Sequence, residues 1–200
     1  MGSKQENDDI KHFNRRAATY ETSWSQKFFF DRVQKMALNL AKKGNTPEAI
    51  LDVGCGTGRL LRKANQQWPN ARLIGVDAAE KMIEQATQLF PQAEFHFAMA
   101  EALPLPDASV DLAFSTLSFH HWANQANGVS EVERVLRPQG SFLLVDITIP
   151  SWLSRFVPRF KRNSPARIRE MFTEAGLTVK RQRQPWRWSR VMLVTVGKKL

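Results

Sequence analysis

Two hundred residues suffice for one domain with a sizeable core, and 42% apolar with 24% charged residues is the balance of a water-soluble globular chain. No apolar run approaches the ~20 residues of a membrane span, and the opening MGSKQENDDI lacks the apolar stretch of a secretory signal. The net charge of +10 is uneven: residues 1–150 carry 16 Lys/Arg against 17 Asp/Glu, whereas residues 151–200 carry 13 against 2. That basic last quarter is either a solvated face or a surface for an anionic substrate, a nucleic acid or a lipid headgroup. The single cysteine, Cys55, excludes an internal disulfide, and a cytoplasmic location is the expectation.

Val33, Met36, Ala37 and Leu40 recur at helical spacing, predicting a helix over 31–41 that Gly44 and Pro47 end. AILDVG (49–54) reads as a short apolar strand, followed by a helix in TGRLLRKANQQW. A second strand is expected over 71–77, a second helix up to Pro91, a third strand over 94–100 and a fourth over 108–115. Residues 124–137 predict a helix stopped by RPQG, and GSFLLVDIT (140–148) a fifth, central strand. SPARIREMFTEAGL then predicts a helix with Ser164 as N-cap, Pro165 at its first position and Gly176 at its end. Beyond it, alternation interrupted by Pro185 predicts two terminal strands paired antiparallel at a sheet edge. Alternating strands and helices predict an α/β fold, a mostly parallel sheet with helices on both faces.

The loop DVGCGTGRL follows the first strand. Gly54, Gly56 and Gly58 give G-x-G-x-G, and Arg59 stands where the dinucleotide fingerprint G-x-G-x-x-G needs its third glycine. Asp52, two residues before the first glycine, would repel a pyrophosphate but suits an ammonium. Asp77 closes the second strand, where a carboxylate accepts ribose hydroxyls. A ribose, a cation near Asp52 and no diphosphate describe S-adenosylmethionine better than NAD.

ILDVGCGTGRL, IGVDAAEKMI, AEALPLPDASVDLAFS and RVLRPQGSFLLVDI, in this order and spacing, resemble the class I S-adenosylmethionine-dependent methyltransferases. The likeness is to the group around the quinone-biosynthesis C-methyltransferases and covers residues 45–150. It implies a Rossmann-like sheet of seven strands with an antiparallel C-terminal strand. With no internal repeat or low-complexity linker, the chain reads as a single domain: an N-terminal helical cap (1–44), a cofactor-binding core (45–150) and a basic lid, helix and hairpin (151–200). The cofactor would be S-adenosyl-L-methionine and the product S-adenosyl-L-homocysteine. Carried over by position, Gly54, Cys55, Gly56, Thr57 and Gly58 wrap the methionine portion, Asp52 meets its amino group and Asp77 the ribose. Ala78 and Met82 flank the adenine on one side, and Ala100 and Glu101 on the other, while Ser115 lies beside the methionine tail. FNRRAATYE is similar to the family's entry segment, with Tyr20 over the cofactor. Met99 departs from the acidic residue or Asn usual in the family at the adenine amino group. Packing or backbone groups would hold the base there.

The acceptor is read by elimination. The lone cysteine belongs to the cofactor loop, which removes cytosine C5 chemistry. STLSFHHW stands where exocyclic-amine enzymes carry their D/N-P-P-Y stretch, and the quinone enzymes' F-G-x-R-N is absent too. No Asp, His or Cys cluster has metal-ligand spacing, so no metal is expected. His120 and His121 follow the fourth strand at the edge where the methyl should point, and either could take a proton from an acceptor. His12 and His96 are read as incidental. In PSWLSRFVPRFKR (150–162), Trp152 and Phe156 share an apolar arc while Arg155 lies on a basic one. That segment reads as a substrate cover that could also touch a membrane surface or clamp an anion. The expectation is a methyltransferase acting on an apolar or aromatic small molecule with an anionic feature, with no obligate protein partner. Two rivals stay open: an RNA methyltransferase using the basic quarter, and a non-catalytic protein that binds the cofactor.

Overall fold

A computed structural model describes residues 8, 10–15, 17, 24–42, 44–148, 164–183 and 192–200. Tyr20, Trp152, Arg155 and Phe156 lie outside them. Helix α1 is Trp24–Ala41; β1 Ala49–Val53 leads through the glycine loop into α2 Arg59–Gln67; β2 Arg72–Asp77 leads into α3 Glu80–Leu89 and β3 Glu94–Phe97. Next come β4 Val110–Thr116, a 3-10 turn Phe119–His121, α4 Gln125–Val135, β5 Leu136–Ile147, α5 Pro165–Glu174, β6 Leu177–Arg183 and β7 Met192–Lys199.

The strands form one seven-stranded sheet in the order β3-β2-β1-β4-β5-β7-β6. β1 to β5 run parallel, and β7 runs antiparallel to both β5 and β6. Strand period 2 sorts side chains onto two faces. Leu51, Val53, Ile74, Val76, Phe142 and Leu144 pack with Val129 and Val132 of α4 and with Ile168, Met171 and Phe172 of α5. Ile50, Leu73, Phe114, Leu143 and Val145 pack on the other face with Val33 and Ala37 of α1 and Leu60, Leu61 and Ala64 of α2. The predicted α/β class and antiparallel end are therefore present. The expected terminal pair is β6–β7, with β7 inside the sheet and β6 at its edge.

Several boundaries differ. α1 begins at Trp24, a turn and more before the periodic stretch. β3 ends at Phe97, because the chain turns after Ala98 donates to Asp77 O. RPQG does not stop a helix: α4 ends at Val135, and β5 already starts at the buried Leu136, which pairs with Val110. The pairing register shifts between Val110 and Leu112, and Gln139 takes φ 66°. Pro138 thus occupies a bulge-like irregularity that tolerates its missing N–H. Arg137 ties this corner to Asp111, whose Oδ2 accepts Glu48 N and Ala49 N at 2.9 and 2.8 Å. At α5 the expected cap is present: Ser164 Oγ accepts Arg167 N at 3.2 Å, and Gly176 adopts φ 91°.

Residues 10–15 are helical, and Ile10 and Phe13 share a cavity wall with the carboxyl ends of β1 and β4. The N-cap of α3 is Ala79, which has no side-chain acceptor. Asn14 Oδ1 takes its place, accepting Lys81 N at 2.9 Å, while Ala17 packs on Ala79 and Met82. A cap supplied from a remote segment satisfies one of the four orphan donors of a helix start. Asn14→Ala should cost about 1 kcal/mol and lower the melting temperature by about 2–4 °C in a thermal scan.

Candidate cofactor-binding site

The site is built where β1 and β4 lie side by side while their following helices leave on opposite faces, the switch point of an open α/β sheet. The chain must turn sharply after Val53. Gly54, Gly56 and Gly58 take φ values of 76°, 54° and 74°, a region glycine enters without steric cost. Gly54 N and Cys55 N both donate to Val76 O, at 2.7 and 3.1 Å, which fastens the loop to β2. Asp77, at the end of β2, accepts Gly56 N on Oδ2 and Ala79 N on Oδ1, each at 2.8 Å. One carboxylate therefore shapes the glycine loop and opens α3.

Around this frame lies an open cavity of about 1050 Å³, adjoining solvent included. Asp52, Gly54, Cys55, Gly56, Thr57, Asp77, Ala78, Met82, Met99, Ala100 and Glu101 line it. Arg59 joins them. Gly58 stands behind the wall as the N-cap of α2, where an added Cβ would meet the Phe95 ring at 2.8 Å. Glu101 Oε1 accepts Asn124 N at 2.7 Å, tying the floor to the start of α4.

Asp52 is the most unusual group. The residue is 1% exposed, yet its carboxylate Oδ1 has no hydrogen-bond partner. Burial first, and the Asp77 charge second, push its pKa up to about 8. A buried acceptor without a donor is costly unless something else supplies one, and a cationic ligand group in the cavity would do so. Asp77 is also raised by burial, although the Ala79 and Gly56 N–H groups pull it back. Burial, then the Asp77 and Asp52 carboxylates, raise the Cys55 thiol well above its ordinary value. Cys55 therefore stays a protonated, small loop residue rather than a nucleophile.

Two expectations are corrected. Ser115 is fully buried and does not reach the cavity; its Oγ pairs with Ser118 Oγ at 2.8 Å, and Ser118 Oγ donates to Val53 O at 2.8 Å. Thr116, Leu117 and Ser118 form that wall instead. The two histidines separate as well. His121 lines the cavity, whereas His120 turns behind it to Asp146 on β5. Sequence reading missed Phe30 and the buried Gln34 of α1, Ile10, and Trp122, all cavity residues. It noted Phe13 only as a motif letter, though its ring meets His121 edge-on at 5.0 Å. No group of three or more potential metal ligands occurs among the described residues. No helix among them is long and apolar enough to cross a membrane.

Sheet order, switch-point cleft and glycine loop define a Rossmann-like α/β protein. Residues 51–144 match the family model described as Methyltransferase domain. Malonyl-[acyl-carrier protein] O-methyltransferase of Hahella chejuensis is 33% identical over 145 residues, covering 71% of this chain and 50% of that protein. Demethylmenaquinone methyltransferase of Thermotoga maritima is 28% identical over 162 residues, covering 76% and 66%. A Haloferax volcanii protein solved in complex with a methyltransferase activator superposes with TM-score 0.74 at 23% identity, covering 93% of this chain and 96% of that one. The chain therefore carries a methyltransferase domain over residues 51–144. It spans about half the length of the curated relatives it matches.

Proposed function

We propose that the chain binds S-adenosylmethionine in this cavity and transfers its methyl group to a small-molecule acceptor. The observation that carries the reading is the buried, partnerless Asp52 Oδ1 on the cavity wall, which calls for an ammonium. A dinucleotide offers none beside the glycine loop. When bound, the cofactor supplies an electrophilic methyl on a sulfonium. Asp52 holds the amino group. Asp77 keeps lone pairs beyond its two backbone donors and accepts ribose hydroxyls. Gly54, Cys55, Gly56 and Thr57 wrap the methionine tail, with Gly58 bracing them and Ser115 acting through Ser118. Ala78, Met82, Met99, Ala100 and Glu101 enclose the adenine, with Met99 supplying packing where it has no strong acceptor to offer. Leu117, His121 and Trp122 face the acceptor. In-line displacement on a sulfonium needs little beyond alignment and exclusion of water, which a walled cavity supplies.

A small-molecule acceptor is favoured by the relative named for demethylmenaquinone, while the relative named for malonyl-[acyl-carrier protein] has its acyl acceptor carried on a protein. Neither is a nucleic acid. The basic charge also has local uses: Arg167 pairs with Glu170, Arg169 with Gln182, and Lys180, Arg181 and Arg183 are exposed on the edge strand β6. Charges at an edge strand block unwanted strand pairing.

Calorimetry with S-adenosylhomocysteine is the direct test, with saturable one-to-one binding expected. Asp77→Ala should weaken it at least ~30-fold, since the glycine loop loses its brace along with the ribose contact. Absence of binding to the native protein, or an unchanged Kd in the variant, would reject the reading. Labelled-methyl transfer into a fractionated extract then identifies the acceptor, with label in the small-molecule fraction expected and label in RNA or protein counting against it.

A further inference from the structure

The 3-10 turn Phe119–His121 is held from behind by a group that no cofactor contact requires. Asp146, on β5, has no solvent exposure. Its Oδ2 accepts His120 N at 2.9 Å, and its Oδ1 lies 2.7 Å from His120 Nδ1 while also accepting Ile147 N. With backbone N–H groups converging on both oxygens, the carboxylate is an acceptor, so the proton of the shared bond sits on His120 Nδ1. The imidazole is fixed in orientation and tautomer together. Its ring centroid lies 4.0 Å from that of His121, which is wedged on its other side by Phe13 at 5.0 Å. His121 alone of the pair reaches the cavity.

We propose that Asp146 and His120 are positioning residues that set the His121 imidazole against the acceptor, and that the acceptor is a protic small molecule, a hydroxyl or amine, whose proton His121 accepts. This rests on the methyltransferase reading above. The step balances within the site: the acceptor's lone pair forms the new bond to the methyl carbon, and the S–C bonding pair returns to sulfur. The acceptor's X–H proton passes to an imidazole nitrogen of His121. Neighbouring charge is supplied by Asp146 through His120, by Asp52, Asp77 and Glu101 on the cavity walls, by Arg59 on the loop, and by His12, whose ring meets Phe13 at 5.7 Å. Where a carboxylate orients a metal-ligating imidazole its removal costs about 10–100-fold, which sets the scale expected for this indirect brace, and a positioned base contributes about 10²–10⁴-fold.

The test has two arms on the full chain. Nitrogen-15 spectra of histidine-labelled protein report each ring's tautomer without any acceptor. His120 should appear as the Nδ1–H form in the native protein and lose that signature in Asp146→Asn. Labelled-methyl transfer to the acceptor found in the small-molecule fraction should fall about 100-fold in His121→Gln and at least about 10-fold in Asp146→Asn. S-adenosylhomocysteine affinity should stay within about twofold in both, given a native-like thermal melt. A His120 ring in the Nε2–H form overturns the dyad, and so does full transfer by His121→Gln. If the native protein does not bind S-adenosylhomocysteine, the methyltransferase reading fails, while the spectra still decide the tautomer.

Discussion

Asp52→Asn should raise the melting temperature of the ligand-free protein at pH 9 and weaken S-adenosylhomocysteine binding in the same variant. The unfolded carboxyl titrates near 3.8 and the folded one at about 8. Between those values the folded state holds the extra proton, so stability from this group falls as pH rises and levels off above about 8. The ionised carboxylate therefore opposes folding at pH 9 by an amount on the order of several kcal/mol, which a neutral amide does not. Melts at pH 5 and pH 9 should show the larger gain at pH 9. A bound ammonium reverses the balance, because it meets the orphaned oxygen with a charge-assisted bond. Losing it should cost roughly 30–150-fold in affinity. For the native protein, affinity for S-adenosylhomocysteine should climb from pH 6 towards 8, approaching tenfold per unit, as Asp52 gives up its proton. Above 8 the climb should flatten, and it should reverse once the ligand's own amine, held above the peptide α-amino value of about 8 by its neighbouring carboxylate, loses its proton. 5′-Methylthioadenosine, which lacks the amino-acid tail, should show neither slope. A stabilising substitution that disarms binding is the signature of a site held ready against its own folding.

Gly54→Ala should abolish measurable cofactor binding and lower stability. A Cβ there would lie 2.3 Å from both Cβ and Oγ of Ser118, and φ is 76°. No rotamer relieves a clash with a Cβ, so the loop or the β4–turn junction must move. Either shift breaks the Ser118 bonds to Val53 O and Ser115 Oγ. The left-handed conformation alone costs about 1–2 kcal/mol for an alanine. Combining Gly54→Ala with Ser118→Gly opens the space and should restore part of the affinity. Non-additivity in that double-mutant cycle, read by calorimetry and thermal melts, tests whether the contact is the cause. Equal effects with and without Ser118→Gly would assign the loss to backbone strain.

What the sequence revealed follows from where the chemistry lies along the chain. The glycine loop, Asp52 and Asp77 sit at the ends of strands whose apolar runs are self-evident, so strand placement alone brings them to one edge. The tautomeric brace was hidden for the opposite reason. Asp146 lies 26 residues beyond His120 on the neighbouring strand, and nothing in FHHW says which ring turns inward; in a tight turn, adjacent side chains point in different directions. Phe30, Gln34 and Ile10 were invisible because a helix face shows amphipathic spacing and not what it covers. RPQG misled because Pro and Gly are helix stops and strand irregularities alike, and only the burial of Leu136 separates the two. Ser115 was misjudged by one turn of geometry, its hydroxyl facing Ser118 rather than the cleft.

The position of β7 has a consequence for how the chain assembles. β6 pairs with β7 alone, and β7 in turn pairs with β5, Ile147 opposite Met192. The parallel half can form through short crossovers, but its β5 border closes only across a separation of roughly fifty residues, with the loop entropy that implies. Until the β6–β7 hairpin docks, Phe142 to Val145 present an open edge of buried-type side chains, the kind that templates pairing with another chain. The hairpin is thus the closing piece of the fold, and destabilising it should drive aggregation before it costs the cofactor cleft its shape.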